Sequence, residues 1–211
     1  MTGKVITVAQ QKGGAGKTTV LAQLAVAWVA EGLRVAVIDI DPQGSLTGWL
    51  ELREEAGEGV AAITGTAKTA WRLGSTLRGL ARDHDIVLVD SPPHAATEAK
   101  VAIRAADLVL VPCQPSRLDL WAAGPTLDLA VEEGLPARVV LNRVPARGRI
   151  DLDIGKAVEA RGAGLLEPAL GNRVAFAQSM NDGLGVVETA PRGPAAQEIQ
   201  AVAGALRAAL A

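Results

Sequence analysis

The chain has 211 residues, 49% hydrophobic and 21% charged, with a formal net charge of -2; that is the composition of a folded chain able to build a full α/β core, and it excludes a disordered segment. The charge carries no polycation signature, so contact with nucleic acid would need a local basic patch. One cysteine, Cys113, makes no intrachain disulfide, holds no zinc or iron–sulfur cluster alone and fits a reducing cytoplasm.

Short apolar runs alternate with longer helical stretches from the first residues onward. Residues 5–9 read as a strand, 17–31 as a helix ended by Gly32, and 34–38 as a strand running into Asp39. Residues 45–52 read as a short helix and 60–63 as a short strand. Leu73, Leu77 and Leu80 give helical spacing within 69–82. A strand over 86–89 runs into Asp90 and is stopped by Pro92-Pro93. Further along, 95–105, 119–133, 152–161, 174–180 and 195–210 read as helices, and 108–111, 138–141 and 165–166 as strands.

Strands that are apolar throughout and alternate with helices predict a mostly parallel sheet with helices on both faces, in one α/β domain spanning 1–211. There is no repeat and no linker. No run approaches the ~18 apolar residues of a membrane span. Tyrosine is absent, and the four tryptophans, Trp28, Trp49, Trp71 and Trp121, follow no repeat spacing.

The first strand leads into Lys12-Gly13-Gly14-Ala15-Gly16-Lys17-Thr18-Thr19 and then a helix. Strand, glycine-rich turn and helix form the context that a phosphate-binding P-loop requires. The glycines allow backbone angles closed to other residues and let amide N–H groups approach phosphate oxygens. The helix N-terminus adds partial positive charge. Gly13, Gly14, Ala15, Gly16, Lys17, Thr18 and Thr19 are therefore the expected cradle for ATP. In it Lys17 would lie on the β- and γ-phosphates, and the Thr18 hydroxyl on Mg²⁺. The bland alternative is a flexible glycine turn beside a basic residue.

A standard P-loop would carry its first glycine where this chain has Gln11, whereas here a second lysine, Lys12, precedes the glycines. The string resembles the deviant Walker A sequence of the family containing ParA, MinD and the nitrogenase iron protein. That resemblance implies a P-loop ATPase in which Lys12 contacts ATP bound to the partner subunit of a sandwich homodimer. A cation arriving from the partner would make dimerisation depend on the γ-phosphate.

Asp39 and Asp41 lie in Ile-Asp-Ile-Asp-Pro-Gln, and Asp90 in Val-Asp-Ser-Pro-Pro. Each follows an apolar strand, at the end of a parallel sheet where ligands sit. Charge there calls for a partner, which a Mg²⁺-nucleotide supplies. Both strings resemble further motifs of the same family. By that resemblance Asp41 positions the attacking water, Asp90 holds Mg²⁺ and Asp39 supports the metal and switch region, with Gln43 in the same segment. For Asp39, a helix-capping or solvent-facing role stands as the alternative. Lys12, Lys17 and Asp41 are thus the residues expected to carry hydrolysis.

Asn142 follows the strand at 138–141, where relatives use an Asn for the adenine edge; a turn-forming Asn is the alternative. The resemblance extends to Ala106-Asp107-Leu108, to Asp119-Leu120, to Glu188 and to Ala195-Ala196-Gln197-Glu198-Ile199. It is nearest to small ParA proteins, which partition DNA or position cargo. It implies slow hydrolysis stimulated by a ParB-like or other cargo adaptor, nucleoid association, and DNA binding without sequence preference. Arg143, Arg147, Arg149 and Arg173 are the candidate DNA contacts, with a solvated basic face as the alternative.

A MinD-like membrane cycle and a metabolic ATP-dependent ligase are the competing readings. Against the first, Ile199, Val202, Leu206 and Leu210 are expected to pack on the domain rather than enter lipid. Against the second stands Lys12. His84 reads as a turn residue, and His94 lies near the expected site without an assigned role.

Overall fold

The structure is a computed structural model that describes residues 3–57, 59–67, 72–93, 96–146 and 153–210. The chain runs β1 (Lys4–Val8), α1 (Lys17–Ala30), β2 (Val35–Asp39), α2 (Ser45–Glu55), β3 (Thr64–Ala67), α3 (Leu73–Asp83), β4 (Ile86–Asp90) and α4 (Ala96–Arg104). It continues β5 (Leu108–Cys113), α5 (Arg117–Glu132), β6 (Ala137–Leu141), α6 (Asp153–Glu159), β7 (Gly164–Leu166), α7 (Val174–Asn181), α8 (Val186–Thr189) and α9 (Pro194–Leu210).

The strands form one parallel sheet in the order β3-β2-β4-β1-β5-β6-β7. From β1 the chain moves to one side through β2 and β3, returns to β4, then crosses to β5. The order therefore reverses around β1, and a crevice opens at the strands' carboxyl ends there. Register aligns the site: Val8 pairs with Asp90, and Asp90 with Asp39.

Both faces of the sheet are covered. Ile6, Val37, Leu88 and Leu110 pack against Val20 and Trp28 of α1 and Ile199 and Val202 of α9. On the opposite face Val109, Val111 and Val139 meet Leu120 and Leu127 of α5. Ala36, Ile38, Val87 and Val89 meet Leu73 and Leu77 of α3. α1 lies between the sheet and α7–α9, so most of its surface is apolar and buried. Ile199, Val202 and Leu206 are fully buried and Leu210 packs against the same cluster, as expected for a helix docked on the domain.

Several boundaries differ from expectation. The strand expected at 60–63 is not there; β3 follows it at Thr64–Ala67, pairing Ala36 with Thr64. This edge strand, Thr-Gly-Thr-Ala, is small, polar and largely exposed, so it offers no apolar pattern to read. α5 starts at Arg117 because the Ser116 hydroxyl accepts the Asp119 N–H as a cap. α8 was not anticipated. The expected helix starts at Thr69, Ala95 and Leu152 lie outside the described residues, as does Trp71.

A buried arginine joins α2 to α8. Arg53 donates to both carboxylate oxygens of Glu188 at 2.7 and 3.1 Å, to Gly183 O at 3.1 Å and to Ala61 O at 2.8 Å. Its guanidinium carbon lies 5.4 Å from the centre of the Trp49 ring. Glu188 also accepts the Gly185 N–H. Arg53→Ala would leave Glu188 uncompensated, so urea unfolding should register a loss of about 3 kcal/mol. Glu188→Gln leaves the more deeply buried Arg53 cation without its counter-charge and should lose a similar amount, about 3 kcal/mol. Wild-type stability in Arg53→Ala would contradict this role.

Candidate functional site

The loop after β1 is built for close approach to an anion. Gly14 and Gly16 take φ of 76° and 90°, the left-handed region that costs other residues about 1–2 kcal/mol. Gly16 caps α1, and its carbonyl accepts the Val20 N–H at 2.9 Å. A Cβ at Gly16 would also lie 2.4 Å from Asn142 Nδ2. Lys17 in the first turn is 7% exposed, and burial lowers its pKa while Asp90 and Asp41 pull it back up.

Asp90 ends β4 beside that lysine. Its Oδ2 accepts the Thr18 hydroxyl at 2.6 Å, and its buried Oδ1 has no hydrogen-bond partner. Burial, the largest cause, together with the charges of Asp39 and Asp41, raises its pKa to about 7 against the pull of Thr18 and Lys17. A hydroxyl and a carboxylate with one unpartnered buried oxygen form a hard, oxygen-only donor set, which fits Mg²⁺.

Asp39 uses both oxygens within the protein. Oδ1 accepts the Asp41 N–H at 3.0 Å, and Oδ2 accepts the Thr47 N–H and hydroxyl, each at 2.9 Å. It therefore clamps the Asp41-Pro42-Gln43 segment to the first turns of α2, in the helix-capping role that its sequence left open. Asp41 accepts the Gln43 N–H at 3.0 Å. With Gly13, Gly14, Lys17, Thr18 and Gln43 it lines a cavity of about 380 Å³.

Gly16 and Thr19 link this cavity to a second, of about 300 Å³, walled by Asn142, Gly171, Asn172, Arg173 and Phe176. Asn142 braces the loop, donating to Ala15 O at 2.9 Å and accepting the Arg143 N–H at 2.9 Å. The cavity at the glycine loop suits phosphate, and the second, walled by amides and an aromatic ring, has the donors, acceptors and flat face that suit a nucleobase.

The arginines divide. Arg173 stands in the wall of the base cavity, ion-paired to both oxygens of Glu198. Glu198 also accepts the Gly171 N–H, which ties α9 to that wall. Arg143 is exposed, with φ of 55°. Arg147, Arg149 and His94 lie outside the described residues. His84 bonds Leu80 O and Thr64 Oγ1 at the strands' amino ends, away from the site. The Cys113 thiol is buried and pushed up to about 12.

Lys12 reaches α5. Its Nζ lies 2.7 Å from Asp119 Oδ1 on α5, with side chains 41% and 8% exposed. Asp119 Oδ2 accepts the Ser116 hydroxyl at 2.5 Å. The pairing spans 107 positions, so nothing local in the sequence announces Asp119 as the partner of Lys12. The base-cavity wall at 170–176 was missed for the same reason.

A family model for the CobQ/CobB/MinD/ParA nucleotide binding domain matches residues 6–187. A protein of Gloeobacter kilaueensis named for maintenance of carboxysome distribution is 34% identical, over 94% of this chain and 89% of that protein. Its namesake from Halothiobacillus neapolitanus is 29% identical over 93% of each. The fold is similar to that of the Pyrococcus furiosus cell division ATPase MinD, with a TM-score of 0.82 and 22% identity over 98% of this chain and 99% of that one.

The raised pKa of Asp90 fixes a pH signature. Between its ordinary value of 3.8 and about 7, folded Asp90 holds a proton that the unfolded chain has lost. Stability of the nucleotide-free protein should therefore fall as pH rises through that window and stay low above it. Asp90→Asn should be the more stable protein at pH 8, with the gap closing towards pH ~4. Urea unfolding across pH checks this; a gap independent of pH would contradict it.

Proposed function

This chain belongs to the CobQ/CobB/MinD/ParA nucleotide binding domain family, and from that premise we propose that it is a ParA-type ATPase that positions or partitions a cytoplasmic cargo. The observation that carries this is Lys12, a second loop cation held half-exposed by Asp119 on α5. A lysine so placed is available to a nucleotide on another subunit. Relatives spanning nine-tenths of the chain and named for carboxysome distribution support a positioning role.

In this reading ATP lays its phosphates on the backbone of residues 13–16. Lys17 neutralises β- and γ-phosphate charge, and Asn142 faces the base. Thr18 and Asp90 would hold Mg²⁺, whose charge would stabilise the transferring phosphoryl group. Asp41 orients the attacking water. Asp39 clamps the Asp41 segment and Thr47 together, so a shift of that segment on binding γ-phosphate is carried into α2. Lys12 of each subunit leaves Asp119 and reaches the partner's phosphates, so the dimer forms only with ATP. Hydrolysis is slow until an adaptor protein stimulates it.

The dimer associates with DNA without sequence preference through Arg143, Arg147 and Arg149, and this places the protein on the nucleoid. Arg173, 35% exposed and ion-paired with Glu198, is the fourth candidate of that set. The buried face of α9 gives a membrane cycle no spare apolar surface on that helix.

Lys12→Ala should bind ATP within threefold of wild type yet remain monomeric and lose at least tenfold in turnover. Asp41→Ala should accumulate as an ATP-bound dimer. Light scattering with ATP, with ADP and without nucleotide checks both variants; an ATP-dependent Lys12→Ala dimer with normal turnover would contradict the reading. In sedimentation assays the wild type with ATP should pellet with DNA, salt-sensitively, and not with liposomes. The reverse would favour a membrane cycle.

A further inference from the structure

Five large hydrophobic side chains are exposed among the described residues: Leu52, Leu118, Trp121, Val131 and Val174. Two of them stand together on the first turns of α5. Leu118 is 68% exposed and Trp121 is 64% exposed. They are three positions apart and so neighbours on one face of the helix, and exposed Pro125 extends that face by another turn. Among the described tryptophans, Trp28 and Trp49 are buried and Trp121 alone is exposed.

The position of this apolar stripe matters more than its size. Leu118 adjoins Asp119, the residue that holds Lys12. Trp121 Cα lies about 5–6 Å from that of Asp119 by helical geometry. A stable interface buries ~800 Å² on each partner, a patch about 16 Å in radius. A two-fold dimer that brings Lys12 onto the partner's phosphates has Lys12 inside that patch. Leu118, next to Asp119 and exposed, then lies at that patch, and Trp121 carries its exposed face one turn further along α5. Such an interface is self-complementary, so the same stripe is presented from both subunits. The glycine loop and its lysine supply charge and backbone but no apolar anchor. Tryptophan is the residue type most often found as such an anchor.

We propose that Leu118 and Trp121 form the apolar anchor of the ATP-dependent homodimer, the occupant of this surface being a second copy of the same chain. This rests on the dimer reading of Lys12 and adds a surface that the phosphate-loop motif does not contain. ATP supplies the trigger by drawing Lys12 away from Asp119, and the stripe supplies apolar burial that holds the two subunits together.

The test uses the full chain with Mg²⁺-ATP in an Asp41→Ala background, which removes turnover. Analytical ultracentrifugation gives the dimer dissociation constant, and a fluorescent ADP analogue gives nucleotide affinity. Trp121→Ala and Leu118→Ala should each weaken dimerisation at least tenfold and leave binding of the analogue within twofold. A readout that needs no destabilising variant is acrylamide quenching of Trp121, taken as wild type minus Trp121→Phe. The exposed signal should become at least threefold less quenchable with ATP as protein concentration rises, with no other protein present. If the background protein dimerises with ATP and both variants dimerise equally well, with Trp121 still quenchable, the anchor is overturned while the dimer stands. If the stripe is protected only when an adaptor protein is added, its occupant is not a second copy and the proposal is likewise overturned. A protein that stays monomeric with ATP overturns the dimer reading and this inference together.

Discussion

A buried lysine and a buried aspartate face one crevice where the two central strands end, and the architecture follows from what those charges need. Lys17 and Asp90 are each under 10% exposed. Burial pulls the ammonium towards neutrality and pushes the carboxylate up to about 7. Asp39 and Asp41 add like charge beside Asp90 and oppose its ionisation. A site with this much unfavourable electrostatics is stable only within a rigid frame, and it gains most from a ligand bearing both phosphate charge and a divalent cation. The parallel register that aligns Val8, Asp90 and Asp39 provides the frame.

The parts of this arrangement that sequence makes legible are the local ones. The glycine loop, Lys17 and Thr18 sit within one strand–turn–helix unit, where spacing alone dictates geometry. Asp39 and Asp90 are readable because each ends an apolar strand. The same sequence cannot say that Asp39 gives both oxygens to Asp41 and Thr47. It cannot place Asp119 against Lys12 or turn Arg173 into the base cavity towards Glu198, because those contacts are made by folding elements distant in the chain. β3 escaped notice because an edge strand of four small residues buries too little to leave a pattern. Asn142 was legible only by its strand-end position; its bond to Ala15 O, made across the fold, braces the loop and left no mark in the sequence.

Two tethers connect the site to the surface. Asp39 links the Asp41 segment to α2, and Arg53 links α2 to Glu188 beside α7. The Asp41 segment is thereby bonded, through α2, to the α7–α8 layer. Lys12 and Asp119 form the second tether, an ion pair half open to water and correspondingly weak. A pair of that strength can hold the lysine in the monomer and yield to the much higher charge of a triphosphate. Weakness suits a contact that the proposed cycle would break.

The central claim is that Lys12 works on the partner's nucleotide. Mixing two impaired proteins tests it most directly. Lys12→Ala keeps its own Asp41 but donates no lysine; Asp41→Ala donates Lys12 but cannot orient water. In their heterodimer, one of the two sites is complete. Equal mixing should raise ATP turnover severalfold above that of either protein alone, because only the heterodimer holds a complete site. A mixture as inactive as its components at every ratio, under conditions where heterodimers form, would contradict delivery of Lys12 across the dimer.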